Sequence, residues 1–284
     1  MNHSSVGALL RSGRKFLLDN GQQKDTAGLD ASLLLGHILK MDRGALLTHP
    51  ELETEAGTAE LFKKLLLERS QGRPVQYILN TCEFMGLSLY VDENVLIPRP
   101  DTETLAEKAL EYLKEGDSVL DMCTGSGCVA VSLARYGPGL KITGTDISQD
   151  ALAVAKRNAD LNGQGLKINW IKSNLFEAVP KKMKFDIIVS NPPYIPTEEI
   201  EALMPNVKSF EPRLALDGGA DGLKFYRRIA EDGREFLRHG GRMLLEIGYD
   251  QASSVRKIMG EAGYSGVEVF RDLAGHDRVI LGTR

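Results

Sequence analysis

Cysteine is scarce in this 284-residue chain. Its three cysteines, Cys82, Cys123 and Cys128, include no C-x-x-C pair. Neither a disulfide framework nor a thiolate metal site is indicated, and a reducing, cytoplasmic setting is expected. The five histidines show no H-x-x-x-H or H-E-x-x-H spacing, so no metal is expected. No apolar run approaches the ~20 residues that cross a bilayer, so no membrane partner is expected. The first residues lack the basic-then-apolar pattern of a signal peptide. A basic excess is missing too. The net charge is −4, with no basic stripe of the kind that follows a nucleic-acid backbone, so no direct nucleic-acid partner is expected. Internal repeats and low-complexity segments are absent.

What remains is an ordinary globular composition, 42% hydrophobic and 26% charged, at a length that suits one large domain or two of moderate size. Apolar residues recur at helical spacing up to about residue 70, as in Val6, Leu9, Leu10, then Leu34, Leu35, Ile38, then Leu61, Phe62, Leu65. Turn signals separate these runs, which read as a small helical bundle. From Gly72 the texture changes. Pro74 breaks the helix, and residues 75–79 and 87–91 look extended around Gly86, a β-hairpin over about 75–95. Asp101 or Thr102 can cap a helix running to about 114.

Strands and helices then alternate. Strands are expected at 118–121, 141–146, 168–171, 185–190 and 242–247, with helices at 128–135, 150–162, 223–237 and 251–261. A final pair of strands falls at 267–271 and 278–281. This order implies an α/β fold with a mostly parallel sheet covered on both faces.

The first strand runs into Asp121-Met122-Cys123-Thr124-Gly125-Ser126-Gly127. Glycines at such a turn let backbone approach a ligand beside a helix N-terminus. Asp146 ends the next strand about 25 residues beyond Asp121. That is near the ~20-residue spacing at which a carboxylate holds ribose hydroxyls. A full G-x-G-x-x-G is absent, because Ala130 and Cys123 occupy two of its positions. A single adenosine-type cofactor fits better than a dinucleotide. Asp121 could order the loop or face a cationic ligand.

The strand at 185–190 leads straight into Asn191-Pro192-Pro193-Tyr194. Two prolines stiffen the loop and supply carbonyls without N–H donors. Asn191 adds an acceptor oxygen and an NH₂ group that can be anchored elsewhere. Tyr194 adds a flat face. The set suits a planar substrate carrying NH₂, whose lone pair is delocalised and therefore a poor nucleophile. Two acceptors on its two hydrogens would hold it with the nitrogen facing a methyl donor. Such preorganised dipoles contribute about 3–4 kcal/mol each, and in-line positioning about 7–11 kcal/mol.

These residues, with Val95-Leu-Ile-Pro-Arg-Pro-Asp-Thr-Glu103 and the stretches 210–219, 221–226 and 245–248, resemble the release-factor glutamine methyltransferases, the HemK or PrmC family, over essentially the whole chain. The resemblance implies a helical substrate-docking domain (1–73), a β-hairpin linker (74–97) and a Rossmann-like, seven-stranded S-adenosylmethionine-dependent domain (98–284). It implies methyl transfer from S-adenosylmethionine to the side-chain amide N5 of the glutamine in the Gly-Gly-Gln motif of class I peptide-chain release factors. Carried over, Cys123, Thr124, Gly125, Ser126 and Gly127 would hold the methionine part of the cofactor and Asp146 its ribose. Asn174 and Leu175 would flank the adenine. Asn191, Pro192, Pro193 and Tyr194 would hold the glutamine amide, with Asn191, Pro192 and Tyr194 catalytic and Asn191 also facing the cofactor. Arg99, Asp101, Thr102 and Glu103 would help line the cofactor end.

Two positions depart from the family pattern. Cys123 stands where glycine is frequent, and its thiol is expected to fit only at negative φ. Asn174 stands where aspartate is frequent. A ribosomal-protein glutamine, or the adenine N6 of DNA, would suit the same loop, although the charge-mixed helical bundle offers little to grip DNA.

Overall fold

The structure, a computed structural model, describes residues 4–284. It divides into two units, one running up to Asn80 and including Pro205–Phe210, the other Thr81–Met204 with Glu211–Arg284.

The first unit holds helices α1 (Val6–Asp19), α2 (Lys24–Leu39), α3 (Arg43–Thr48), α4 (Thr58–Ser70) and α5 (Val75–Leu79). Ser5 and Asp42 cap α1 and α3 by accepting from the backbone N–H groups of Ala8 and Ala45. The apolar positions at helical spacing form one core, including Leu17, Leu34, Leu35, Leu46 and Phe62. Arg69 and Asp30, both largely buried, pair at 2.6 Å across α4 and α2.

Residues 75–79 are α5 and not the first strand of the hairpin. The Pro74 carbonyl accepts from Tyr77 and Ile78, and Asn80 ends the turn in the left-handed region. The β-branched and aromatic side chains that suggest a strand serve here to bury Val75 and Tyr77. The hairpin lies further on, as β1 (Cys82–Phe84) and β2 (Leu87–Leu89), and its Phe84, Leu87 and Leu89 join the core of the second unit.

Next come α6 (Pro100–Tyr112), β3 (Ser118–Met122), α7 (Cys128–Tyr136), β4 (Lys141–Asp146), α8 (Gln149–Leu161), β5 (Ile168–Lys172) and β6 (Phe185–Ser190). The short α9 (Pro205–Phe210) belongs to the first unit. The chain closes with α10 (Lys224–Phe236), β7 (Leu237–Glu246), α11 (Ala252–Glu261), β8 (Ser265–Arg271) and β9 (Asp277–Thr283). Helix α6 begins two or three residues earlier than a cap at Asp101 or Thr102 requires. Arg99 is the N-cap and Pro100 the first helical residue, where its missing N–H costs nothing.

The seven-stranded sheet has the order β5-β4-β3-β6-β7-β9-β8, parallel except for β9, which runs against both neighbours. Successive strand residues alternate between two cores: Val119, Ile187 and Val189 pack with α6, α7 and α8 on one face. Leu120, Ile188 and Leu245 pack with α10 and α11 on the other. Both faces are covered, which is why these strands read as nearly continuous apolar runs. The order reverses at β3, flanked by β4 and β6, and in such sheets the crevice at the carboxyl edge of that point takes the ligand.

Candidate active site

A cavity of about 350 Å³ lies at that edge. The loop after β3 forms one wall. Asp121 sits beneath it, 2% exposed, where its Oδ2 accepts from the Thr124 hydroxyl at 2.5 Å and the Ala130 N–H at 3.1 Å. Burial lifts its carboxyl to about 7 against those two bonds. Of its two expected roles, ordering the loop is the one its contacts display.

The loop itself runs through left-handed backbone at Cys123 (φ +57°), Gly125 (+54°) and Gly127 (+78°). The expectation that a thiol at 123 needs negative φ is overturned, since the turn imposes the glycine conformation whichever residue occupies it. Burial raises both the Cys123 and Cys128 thiols far from thiolate character, the latter to about 12, so they pack and do not attack.

Cys123, Thr124, Gly125 and Ser126 line the cavity, and Gly127 does not. A β-carbon at 127 would fall 2.9 Å from the Ala155 Cβ, so Gly127 admits α8 beside the start of α7.

Asp146 lines the cavity from the end of β4. Its Oδ2 accepts from the Gly125 N–H and its Oδ1 from the Ser148 N–H, both at 2.9 Å. Each oxygen keeps capacity for a further donor, such as a ribose hydroxyl. Burial raises this carboxyl, opposed by the Ser148, Gly125 and Ile147 amides. Asn174 and Leu175 line the cavity after β5. The Asn174 Nδ2 donates to Glu177 Oε1 at 2.7 Å, and its Oδ1 meets Arg228 at 3.5 Å, so its side chain is engaged by neighbours. Beside a Gly125 with open space where a side chain would stand, these groups fit an adenosine-type cofactor.

Asn191 and Pro193 line the cavity, whereas Pro192 and Tyr194 do not. Ser190 anchors the start of their loop by donating to the Met122 carbonyl at 2.7 Å. Asn191 Nδ2 donates to Thr102 Oγ1 at 3.2 Å. With the nitrogen so held, Oδ1 is the group left for the cavity. The Tyr194 carbonyl accepts from Gln251 Nε2 at 3.0 Å, and burial pushes its phenol up to about 12. The loop continues into a ladder with the stretch 216–219. Ile195 donates to Leu216, Gly218 to Ile195, and Thr197 to Gly219. A β-carbon at Gly218 would lie 2.7 Å from the Tyr194 Cα, so only glycine permits this approach.

Arg99 and Thr102 line the cavity; Asp101 and Glu103 do not. Asp101 pairs with Arg278 at 3.3 Å, and Glu103 accepts from the Met85 N–H at 2.6 Å, tying the hairpin down. Arg99 pairs at 2.5 Å with Glu211, whose side chain is fully buried and whose second oxygen accepts from the Ile97 N–H at 3.4 Å. Glu211, Leu214, Lys224, Phe225 and Arg228 carry no individual role in the sequence reading, although all except Glu211 line the cavity. The only signal for the first four was membership of stretches 210–219 and 221–226, and Arg228 lies outside both. Among the described residues no His, Cys, Asp and Glu cluster could hold a metal ion, and no helix is long and apolar enough to cross a membrane.

Residues 101–207 match the family model described as "Methyltransferase small domain". The fold is shared with a methyltransferase from Pyrococcus furiosus (TM-score 0.54, 19% identity, 70% of this chain and 90% of that one). It is shared also with a Thermus thermophilus 16S rRNA methyltransferase (TM-score 0.52, 19% identity, 72% and 49%). Sheet order and loop together define a Rossmann-like methyltransferase, the class that uses S-adenosylmethionine. Residues 8–79 match the "PrmC N-terminal domain". The chain is 42% identical to the release factor glutamine methyltransferase of Clostridium acetobutylicum, over 90% of each protein. It is 40% identical to that of Geobacter sulfurreducens, over 95% of this chain and 93% of that one. The chain belongs to the release factor glutamine methyltransferase family.

Proposed function

We propose that this chain methylates the side-chain amide N5 of the glutamine in the Gly-Gly-Gln motif of class I peptide-chain release factors, and works in the cytoplasm where those factors act. The observation that carries the reading is Asn191, anchored through its nitrogen on Thr102 and lining the same cavity as Asp146 and the Gly125 loop. S-Adenosylmethionine, when bound, supplies a methyl group on a positively charged sulfur. Cys123, Thr124, Gly125 and Ser126 would hold its methionine part, Asp146 its ribose, and Asn174 and Leu175 its adenine.

Asn191 Oδ1 and a carbonyl of the Pro192-Pro193 pair, of which Pro193 lines the cavity, accept the two amide hydrogens and hold the nitrogen still, with its lone pair toward the cofactor end. No strong base is needed beforehand, because the amide becomes acidic only on methylation and then releases its proton to the loop or to water. Tyr194 backs the loop, and its phenol, kept protonated by burial, stays a neutral hydrogen-bonding group at working pH. The match of residues 8–79 to the PrmC N-terminal domain supports a release factor over a ribosomal-protein or DNA substrate.

The test is mass spectrometry of purified release factor incubated with this protein and S-adenosylmethionine. A mass gain of one CH₂ on the Gly-Gly-Gln peptide is expected; an unmodified peptide with a modified ribosomal protein would redirect the assignment.

A further inference from the structure

Asn174 lines the cavity after β5, and its side-chain amide can present either an oxygen or an NH₂ group to a ligand. Which of the two faces inward decides what this wall can bind. The turn that follows β5 supplies one constraint. Within it the Glu177 N–H donates to the Asn174 carbonyl at 3.3 Å. The Ser173 hydroxyl donates to the Leu175 carbonyl at 2.6 Å and accepts from the Ala178 N–H at 2.9 Å. A turn tied in this way sets the Glu177 side chain beside Asn174, where Glu177 Oε1 accepts from Asn174 Nδ2 at 2.7 Å. Glu177 itself lies off the cavity wall.

Arg228, on α10, supplies the other. Its guanidinium pairs with Glu177 Oε1 at 3.1 Å and stands 3.5 Å from Asn174 Oδ1. A carboxylate only accepts and a guanidinium only donates. The Asn174 amide therefore has one favourable orientation, with its nitrogen toward Glu177 and its oxygen toward Arg228, which does line the cavity. Turned over, it would set oxygen against a carboxylate and NH₂ against a guanidinium. At 3.5 Å the Arg228 contact is long for a hydrogen bond, so Oδ1 keeps a lone pair for a donor on the ligand. An ion pair whose side chains are 37% and 61% exposed adds little stability. Its effect falls on Asn174.

We propose that Glu177, held by Arg228, is a positioning residue that turns the Asn174 amide so that its oxygen faces the base of the cofactor, and thereby selects a 6-aminopurine over a 6-oxopurine. This rests on the reading of Asn174 as a neighbour of the adenine. Adenine carries NH₂ at C6, a donor that Oδ1 accepts. A 6-oxopurine carries an acceptor there, which Oδ1 repels. An aspartate at 174 would need no such guidance, since both of its oxygens accept.

The test titrates the full chain by calorimetry with two ligands, S-adenosylhomocysteine and its deaminated analogue S-inosylhomocysteine. The readout is the ratio of their dissociation constants. A general loosening of the site weakens both ligands alike and leaves that ratio unmoved. The wild-type protein is expected to prefer the adenine ligand by roughly tenfold, the scale of one hydrogen bond made against one lost. In Glu177→Ala the amide is free to turn and can satisfy either base, so the preference should shrink to within about three-fold. Adding Asn174→Asp to Glu177→Ala is expected to restore a preference of about tenfold or more, because a carboxylate has no wrong orientation. A wild-type ratio that persists in Glu177→Ala overturns the proposal and leaves the placement of the adenine standing. Equal binding of the two ligands by the wild-type protein removes that placement, and the proposal with it.

Discussion

Gly222 passes so close to Tyr194 that a β-carbon at 222 would lie 2.4 Å from the Tyr194 carbonyl oxygen, and its own φ is +70°. The backbone of the Asn191–Tyr194 loop is thus locked from below by a residue without a side chain. Gly222→Ala must push the loop or strain itself. The expected result is a kcat lower by roughly 10²-fold, because displacement of a positioning loop by about 1 Å has that effect. Cofactor affinity should hold. Steady-state kinetics beside calorimetry would separate the two, and an unchanged kcat would mean that the loop is not locked.

Asn191→Ala removes the acceptor and leaves Thr102 without its donor. Turnover should drop by roughly 10²–10³, the cost of deleting one preorganised group. Cofactor binding should survive. Retained turnover would refute the role of Asn191 in positioning the amide.

Asp146→Ala removes both the expected ribose acceptor and the bonds to the Gly125 and Ser148 amides. Hydrogen bonds to a charged group are worth about 1.5–3 kcal/mol, so calorimetry should show cofactor affinity weakened at least about tenfold. An unaltered titration would take Asp146 out of the ribose site.

Burial holds Asp121 and Glu246 near 7, against ordinary values of 3.8 and 4.5. Between those values the folded chain keeps protons that the unfolded chain has released, so stability falls as pH rises. Their contribution is fully present below the unfolded values and is lost as pH climbs through about 7. The ligand-free protein should melt at lower temperature near pH 7.5 than near pH 5, and Asp121→Asn should flatten the difference. An unchanged slope in that variant would show that Asp121 does not titrate in this window.

Cys123 carries a side chain in left-handed backbone, which costs roughly 1 kcal/mol relative to glycine. Cys123→Gly should raise stability in chemical denaturation by up to about that amount. A loss of stability would mean that the packing of the thiol outweighs the strain.

Most of the sheet was legible in the sequence because parallel strands buried on both faces leave continuous apolar runs; 185–190 matches β6 without an offset. Residues 75–79 misled because Val75, Tyr77 and Ile78 suit a strand, while Pro74 and Asn80 bound a single helical turn. Within the site, the cofactor loop and Asp146 were legible because strand ends deliver them to one edge. The roles of Gly127 and Tyr194 were less so. A glycine that touches a ligand and one that admits a helix look alike in sequence, and nothing local shows that Tyr194 is held by Gln251 and backed by two glycines. Glu211 was opaque for the same reason. Its partner, Arg99, lies far away along the chain and meets it only once the sheet is assembled.

Strand β9 separates β8 from the rest of the sheet although it follows β8 in the chain. During synthesis β8 therefore emerges before anything exists for it to pair with, and it must wait beside an open edge until β9 slides in as a wedge. A nonsense mutation between Arg271 and Asp277 would strand β8 and leave the apolar flank of β7 bare to neighbouring chains. Glu246 would also lose Arg278, the cation that tempers its burial. Closure of this sheet accordingly hinges on a short stretch that is made late and sits one strand in from the edge.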